Sequence, residues 1–292
     1  MLEYMFIFFA ILFFSIGIII DNFLINNRFK NMFALLFYSN ITDMLFIPLL
    51  WIFGLPKLLP TDMIVPIILV GVGQIIYLYP YYKALKEIDT SIVSALFNLG
   101  KIFVPVLAFI VVRERLSILQ YIGFIVIIFG SFMLTYEGGL KINKALFYMT
   151  LTTFIIATSS TVTKYALESI DWITVITWAA IMSTTITIIF GLLFYKKEIA
   201  DSRKIYLRTV WQFILNNFVT FLAMASITYA IVTVPVTVAQ GLMATAPVFM
   251  IAFIYLGHKF WPRYFKENLE WKNILKKSVF FILIAIGIIL TV

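Results

Sequence analysis

The sequence predicts an all-α integral membrane fold of ten transmembrane helices, set out as two inverted five-helix repeats. Three observations carry that prediction. The first is composition: 63% of residues are hydrophobic and 12% charged, and mean hydropathy is +1.04, whereas a soluble domain averages about 45–50% apolar and 25% charged. The second is pattern. The apolar residues fall in continuous runs long enough to cross ~30 Å of hydrocarbon as helices, and their lack of strict alternation excludes a membrane barrel. The third is repetition, since landmarks of the first half recur in the same order in the second.

The runs lie at about 3–25, 32–54, 62–82, 88–112, 117–136, 145–167, 172–195, 208–232, 234–257 and 275–292. Leu2–Ile25 lacks a basic leader and a small-x-small cleavage site, so it is expected to remain as the first span. Pro56 and Pro60 separate spans two and three, Gly138 and Gly139 separate five and six, and Pro235 marks a very short joint between eight and nine. Pro80, Pro105 and Pro247 each remove a backbone hydrogen bond within a span and should bend it.

The repeat shows in Asn98-Leu-Gly-Lys101 followed by Pro105, set against Gln240-Gly-Leu-Met followed by Pro247 at one common spacing. A nearly equal spacing sets Asp21 of span one against Lys164 of span six. Gly130 matches Gly287 once a longer loop before the last span is allowed for. The repeats are expected over 1–137 and 145–292. Each holds an odd number of spans, so the second must insert upside down, an arrangement that puts binding sites near the midplane between repeats.

Several function classes are excluded. With no cysteine and one histidine, His258, there is no thiolate metal site, disulfide or histidine cluster. No Walker-type loop is present, so the chain does not itself use ATP. The net charge of +8 belongs to loops beside anionic headgroups rather than to a nucleic-acid partner. Paired catalytic acids and an activated nucleophile are lacking, and neither an enzyme nor a cofactor is expected. The basic residues gather in loops one–two, three–four, five–six, seven–eight and nine–ten, while Lys57, Arg113 and Arg115 lie on the other side. The positive-inside rule then puts both termini outside the cytoplasm.

Four charges lie within spans: Lys101 and Asp43 near the middle of theirs, Asp21 and Lys164 nearer an end. A charge at the bilayer centre costs at least ~2.5–3.5 kcal/mol and persists where it faces a partner or a wet cavity. Lys101 shares a helical face with Asn98. It reads as the holder of an anionic group, as a structural ion pair with Asp43 or, if unpaired and neutral, as a proton carrier. Asp21 and Lys164 either guard the two cavity mouths or snorkel to the nearest interface. Gln74, Tyr77 and Tyr81 in span three, Ser159, Ser160, Thr161 and Thr163 in span six, and Asn216 and Asn217 in span eight offer polar groups for a route or for interhelical bonds. Arg113 and Glu114 read as an interfacial salt bridge fixing a turn. The segment His258–Lys277 mixes basic residues with Phe260, Trp261, Tyr264, Phe265 and Trp271, as a headgroup-lying loop does.

The proline-centred span four, ending in Arg113-Glu114-Arg115-Leu116-Ser117 and followed by Gln120-Tyr-Ile-Gly123 and Gly130, resembles the drug/metabolite transporter superfamily in its ten-helix EamA-type branch. Thr163-Lys164-Tyr165-Ala166-Leu167 is similar to its span six. The sharp motif covers 88–131, and the span count and repeat cover the whole chain. The second half departs from the pattern, with Leu256-Gly257-His258-Lys259-Phe260 where a glutamate-bearing turn would recur. The resemblance implies a secondary transporter in a plasma membrane (the bacterial inner membrane), an exporter or exchanger of small polar metabolites such as amino acids, working by alternating access. A coupling proton or ion is a possible partner, beside the small-molecule substrate and the lipid bilayer. The resemblance also implies termini on the cytoplasmic side, a cavity lined by spans one, three, four, six, eight and nine, and Asp43 as a packing partner. The expected substrate-binding residues are Asn98, Lys101, Gln240, Gln74, Tyr77, Tyr81, Lys164 and Asn217. A flippase for a lipid-linked sugar is the alternative the same fold could host.

Overall fold

The computed structural model of the chain describes residues 2–29, 31–88, 90–115, 117–136 and 144–260, with 279, 280, 282–287, 289 and 290. The first span forms α1 (Leu2–Asn27), 26 residues and about 39 Å long at ~1.5 Å per residue. Helix α2 (Met32–Asp43) opens on Asn31, whose side-chain oxygen accepts from the Phe33 and Ala34 amides. After one turn the chain continues in α3 (Ile47–Leu50).

Prolines divide three of the remaining spans. Proline cannot donate to the carbonyl four residues back. Pro80 therefore leaves the Ile76 carbonyl free, and the third span divides there into α4 (Ile64–Ile76) and α5 (Leu78–Glu87). Pro105 frees the carbonyl of Lys101, and the expected fourth span becomes α6 (Thr90–Leu96), a 3-10 segment (Phe97–Ile102) and α7 (Phe103–Val111). Helices α8 (Ile118–Tyr136), α9 (Lys144–Leu167), α10 (Trp172–Phe194) and α11 (Lys196–Thr233) come next. Pro247 frees the Met243 carbonyl, dividing the expected ninth span into α12 (Val236–Met243) and α13 (Ala246–Phe260). The breaks at 97–102 and 244–245 thus each end two or three residues before one of the paired prolines, Pro105 and Pro247.

Among the described residues, six stretches are long and apolar enough to cross a membrane: Leu2–Asn27, Met32–Leu50, Thr61–Glu87, Lys144–Leu167, Trp172–Phe194 and Lys196–Thr233. The last starts about three turns earlier than its apolar run. Its first turns, rich in Lys, Glu and Arg, are good helix formers that hydropathy does not see. The break at Gly138 and Gly139 lies outside the described residues. So does Leu116, and so does the basic-aromatic loop beyond the end of α13.

Packing runs mainly between the halves. α1 lies along α11, α2 against α11 and α10, α4 against α9 and α10, and the 3-10 segment against α9. Gly71 permits the α4–α10 approach, since a Cβ there would stand 2.9 Å from the Ala179 carbonyl oxygen. Gly100 brings the 3-10 segment onto α9, where a Cβ would meet that of Thr153 at 2.7 Å. Large apolar side chains such as Ile110, Ile125, Ile189 and Phe190 cover the outside, a face stable only in lipid.

Asp171 caps α10 by accepting from the Thr174 amide and hydroxyl, both at 2.9 Å, with Lys57 Nζ at 3.7 Å. Partial burial pushes its carboxyl upward, but the Thr174 bonds and Lys57 outweigh this and hold it below the ordinary carboxylate value. A depressed folded-state value contributes stability above the unfolded pKa and loses it as pH falls through the folded one. Asp171→Ala should therefore lower the melting free energy by ~1 kcal/mol at neutral pH and by progressively less below about pH 4. Thermal melts across that range in detergent check this.

Candidate functional site

A cavity of about 310 Å³ lies where the two halves meet. Helical spacing builds its walls: Phe14, Ile18 and Asp21 from α1, Val70, Gln74, Tyr77 and Tyr81 along α4 and α5, and Asn216, Thr220, Ala223 and Ile227 from α11 each form one stripe at i, i+3, i+4 intervals.

Asp21 sits in the wall and does not snorkel. It is 8% exposed and accepts from Asn216 Nδ2 at 2.9 Å, Tyr81 OH at 3.1 Å and Tyr82 OH at 3.4 Å. These donors come from α11 and α5, so the carboxylate ties three elements together. Asp43, the last residue of α2, faces the same cavity. Among the described residues its carboxylate has no hydrogen-bond or ion-pair partner. Its backbone is held by the preceding helix, and α2 is fixed in turn: Asn217 accepts from Ser39 Oγ at 3.0 Å and donates to the Ser39 carbonyl at 2.7 Å, while Asn40 Oδ1 accepts from Ser183 Oγ at 3.0 Å and Thr184 Oγ1 at 3.2 Å.

Lys101 enters from the 3-10 segment. In a 3-10 helix, residues three apart eclipse, so Asn98 and Lys101 both reach toward the second half. Lys101 Nζ donates to Gln240 Oε1 at 2.7 Å, and Gln240 Nε2 donates to Ser160 Oγ at 3.1 Å. Asn98 Nδ2 donates to the Ala244 carbonyl at 3.1 Å, at the break between α12 and α13. The breaks before Pro105 and Pro247 are thereby joined to each other.

Of the residues singled out in the sequence, Lys101, Gln240, Gln74, Tyr77, Tyr81 and Asn217 line the cavity. Among the described residues, Gln74 has only the weak acceptor Met224 Sδ, at 3.7 Å. Asn98 and Lys164 do not line it. Asn98 is spent on Ala244, and Lys164 Nζ donates to the Ile231 and Val232 carbonyls at 2.7 and 3.2 Å. The expected Asp43–Lys101 ion pair is not formed, because Lys101 is turned to α12 while Asp43 belongs to the wall of α2. Nor does Glu114 pair with Arg113; its carboxylate accepts from the Val236 and Thr237 amides. Spans two and seven, expected at the periphery, supply Ser39, Asn40, Asp43, Ser183 and Thr184 to the lining. Sequence reasoning missed Tyr82 and Asn40 as wall residues. The stripe Phe14–Ile18–Asp21 could have placed Asp21 inward. Among the described residues, no group of three or more His, Asp or Glu side chains could hold a metal.

A model of the EamA-like transporter family matches residues 1–136 and again 143–292. An uncharacterized transporter of Methanothermobacter thermautotrophicus is 31% identical over 134 residues, a stretch that is 44% of this chain and 38% of that protein. A solved crystal structure, 14% identical, superposes with a TM-score of 0.65 over 97% of each chain, a likeness of fold alone. With the family matched over nearly its whole length, the chain belongs to the EamA-like transporter family, and its described helices include several long and apolar enough to cross a membrane.

Proposed function

We propose that this transporter is a secondary exporter or exchanger of a small zwitterionic metabolite, an amino acid or related compound, working by alternating access in a plasma membrane. The observation that carries the reading is a lysine and an aspartate, Lys101 and Asp43, that face one cavity without bonding each other. Lys101 offers an ammonium to a carboxylate, and Asp43 offers an open carboxylate to an ammonium. A dedicated cation and anion facing one space inside a membrane are costly unless something polar is bound between them. A volume of about 310 Å³ suits a small metabolite and falls at the low end of known ligand sites.

Ten spans in two inverted repeats accord with this reading. The family model matches once in each half, and the breaks at 97–102 and 244–245 each precede one of the paired prolines. Broken helices near a repeat interface are where secondary transporters hold cargo. Rocking of one half against the other would expose the cavity to each side in turn, driven by a gradient of substrate or of a coupling ion.

The test is flux in proteoliposomes. Labelled amino acids should exchange across the membrane, whereas amines lacking a carboxylate and acids lacking an amine should exchange at least about tenfold more slowly, since each forfeits one charge-assisted contact. Equal exchange of all three, or movement of a lipid-linked sugar alone, would contradict the proposal.

A further inference from the structure

Glu114 and Lys164 stand outside the cavity, yet both act on the joint between α11 and α12. Helix α11 ends at Thr233 with free carbonyls, and α12 begins at Val236 with free amides and no side-chain cap from Pro235. Lys164, from α9, donates to the carbonyls of Ile231 and Val232 at 2.7 and 3.2 Å. Glu114, from the turn after α7, accepts from the amides of Val236 and Thr237, each at 3.2 Å, one on each carboxylate oxygen. A cation thus closes the negative end of one helix and an anion the positive end of the next, each matching the local dipole.

The turn is shaped for this contact. Arg113 takes a left-handed backbone, φ 54°, the only such non-glycine among the described residues. It reverses the chain after α7, so that the Glu114 amide returns to the Ala108 carbonyl at 3.1 Å while its side chain lies over α12. Beneath the joint, Val104, Ala108, Ala157 and Val236 pack together, joining α7 and α9 to α12. Val104, Ala157 and Ile231 also face the cavity. The joint and its apolar packing are therefore one end wall of the cavity, built from both halves of the chain.

We propose that Glu114 and Lys164 are the latch of the gate at this end. With both caps made, α12 is held on α7 and α9 and the wall is shut. Opening toward this face requires α12 to leave α7, which breaks the Glu114 caps and, as the joint moves, the Lys164 bonds with them. The two side chains act as gating residues and do not touch cargo. The proposal rests on reading this cavity as the transport route, but its test uses no cargo, so failure to find a substrate would leave it standing or falling by itself.

The chain has no cysteine, so a single reporter is clean. Thr228, one turn before the joint, is 4% exposed and lines the cavity. In Thr228→Cys, a membrane-impermeant methanethiosulfonate reagent is applied from each face of oriented vesicles. Adding Glu114→Gln should raise the labelling rate from the face that carries the α7–α8 turn by about tenfold, the scale of losing one helix cap. Labelling from the opposite face should not rise. Lys164→Gln should act in the same direction, and the double variant should not multiply the two effects, because the latch is one unit. Glu114→Asp, which keeps the charge but falls one methylene short, should give a smaller rise on the same face. An unchanged rate in all four variants would overturn the proposal. So would a rise on both faces alike, which would mean general loosening of the bundle.

Discussion

Replacing Lys101 by alanine should abolish transport and leave a folded, membrane-inserted protein. Its Nζ has one described protein partner, Gln240 Oε1 at 2.7 Å, and Gln240 keeps its bond to Ser160 when the lysine is gone. Truncation removes a buried cation that costs energy to hold in the membrane. The freed amide oxygen opens onto a polar cavity, so stability should change by less than ~1 kcal/mol. Cargo loses its counter-charge, a contact of ~1.5–3 kcal/mol, which is about a 10- to 100-fold fall in affinity. Initial-rate uptake together with a monodisperse elution profile checks both halves of the expectation. Normal uptake by the folded variant would remove Lys101 from the site and make it a packing residue between the 3-10 segment and α12.

The two cavity aspartates should respond in opposite ways to the same chemical change. Asp21 accepts from three donors on two helices. Asp21→Asn turns charge-assisted bonds into neutral ones and points an amide NH2 at groups that themselves donate, which should lower stability by ~2–3 kcal/mol. Asp43 has no such partner to lose among the described residues. Asp43→Asn should leave the melting temperature nearly unchanged and weaken cargo binding by about tenfold or more. Melting curves and uptake rates of the two variants, measured side by side, separate a structural carboxylate from a binding one. If both variants lose stability equally, or if Asp43→Asn transports normally, the assignment of Asp43 to cargo is wrong.

The membrane class and the six long apolar spans among the described residues were legible because both depend on local quantities, run length and hydropathy. The helix breaks were legible as well: Pro80, Pro105 and Pro247 each end a helix at or within one residue of the position whose carbonyl they cannot reach. Which charge meets which was not legible. Asp43 and Lys101 share a cavity, yet the rotation of the 3-10 segment sends the lysine to Gln240, and rotation is set by packing such as Gly100 on Thr153. Lys164 matched Asp21 by repeat position, but one is a helix cap and the other a wall residue, because the first needs free carbonyls within reach and the second needs three donors around it. Asn216 and Asn217 are neighbours in sequence with separate partners, Asp21 and Ser39, since successive residues on a helix point about 100° apart.

The central claim is that Lys101 and Asp43 grip one zwitterionic molecule between them. Thermal stabilisation of the purified protein tests it most directly, with amino acids compared against amines without a carboxylate and acids without an amine, in the parent chain, Lys101→Ala and Asp43→Asn. A ligand that binds only the folded state at 100 times its dissociation constant stabilises by ~2.7 kcal/mol, a shift easily read in a melt. At least one amino acid should stabilise the parent chain, either single-charge analogue should do little, and the stabilisation should be lost in both variants. Stabilisation that survives both substitutions, or stabilisation by single-charge compounds as strong as by the zwitterion, would contradict the claim.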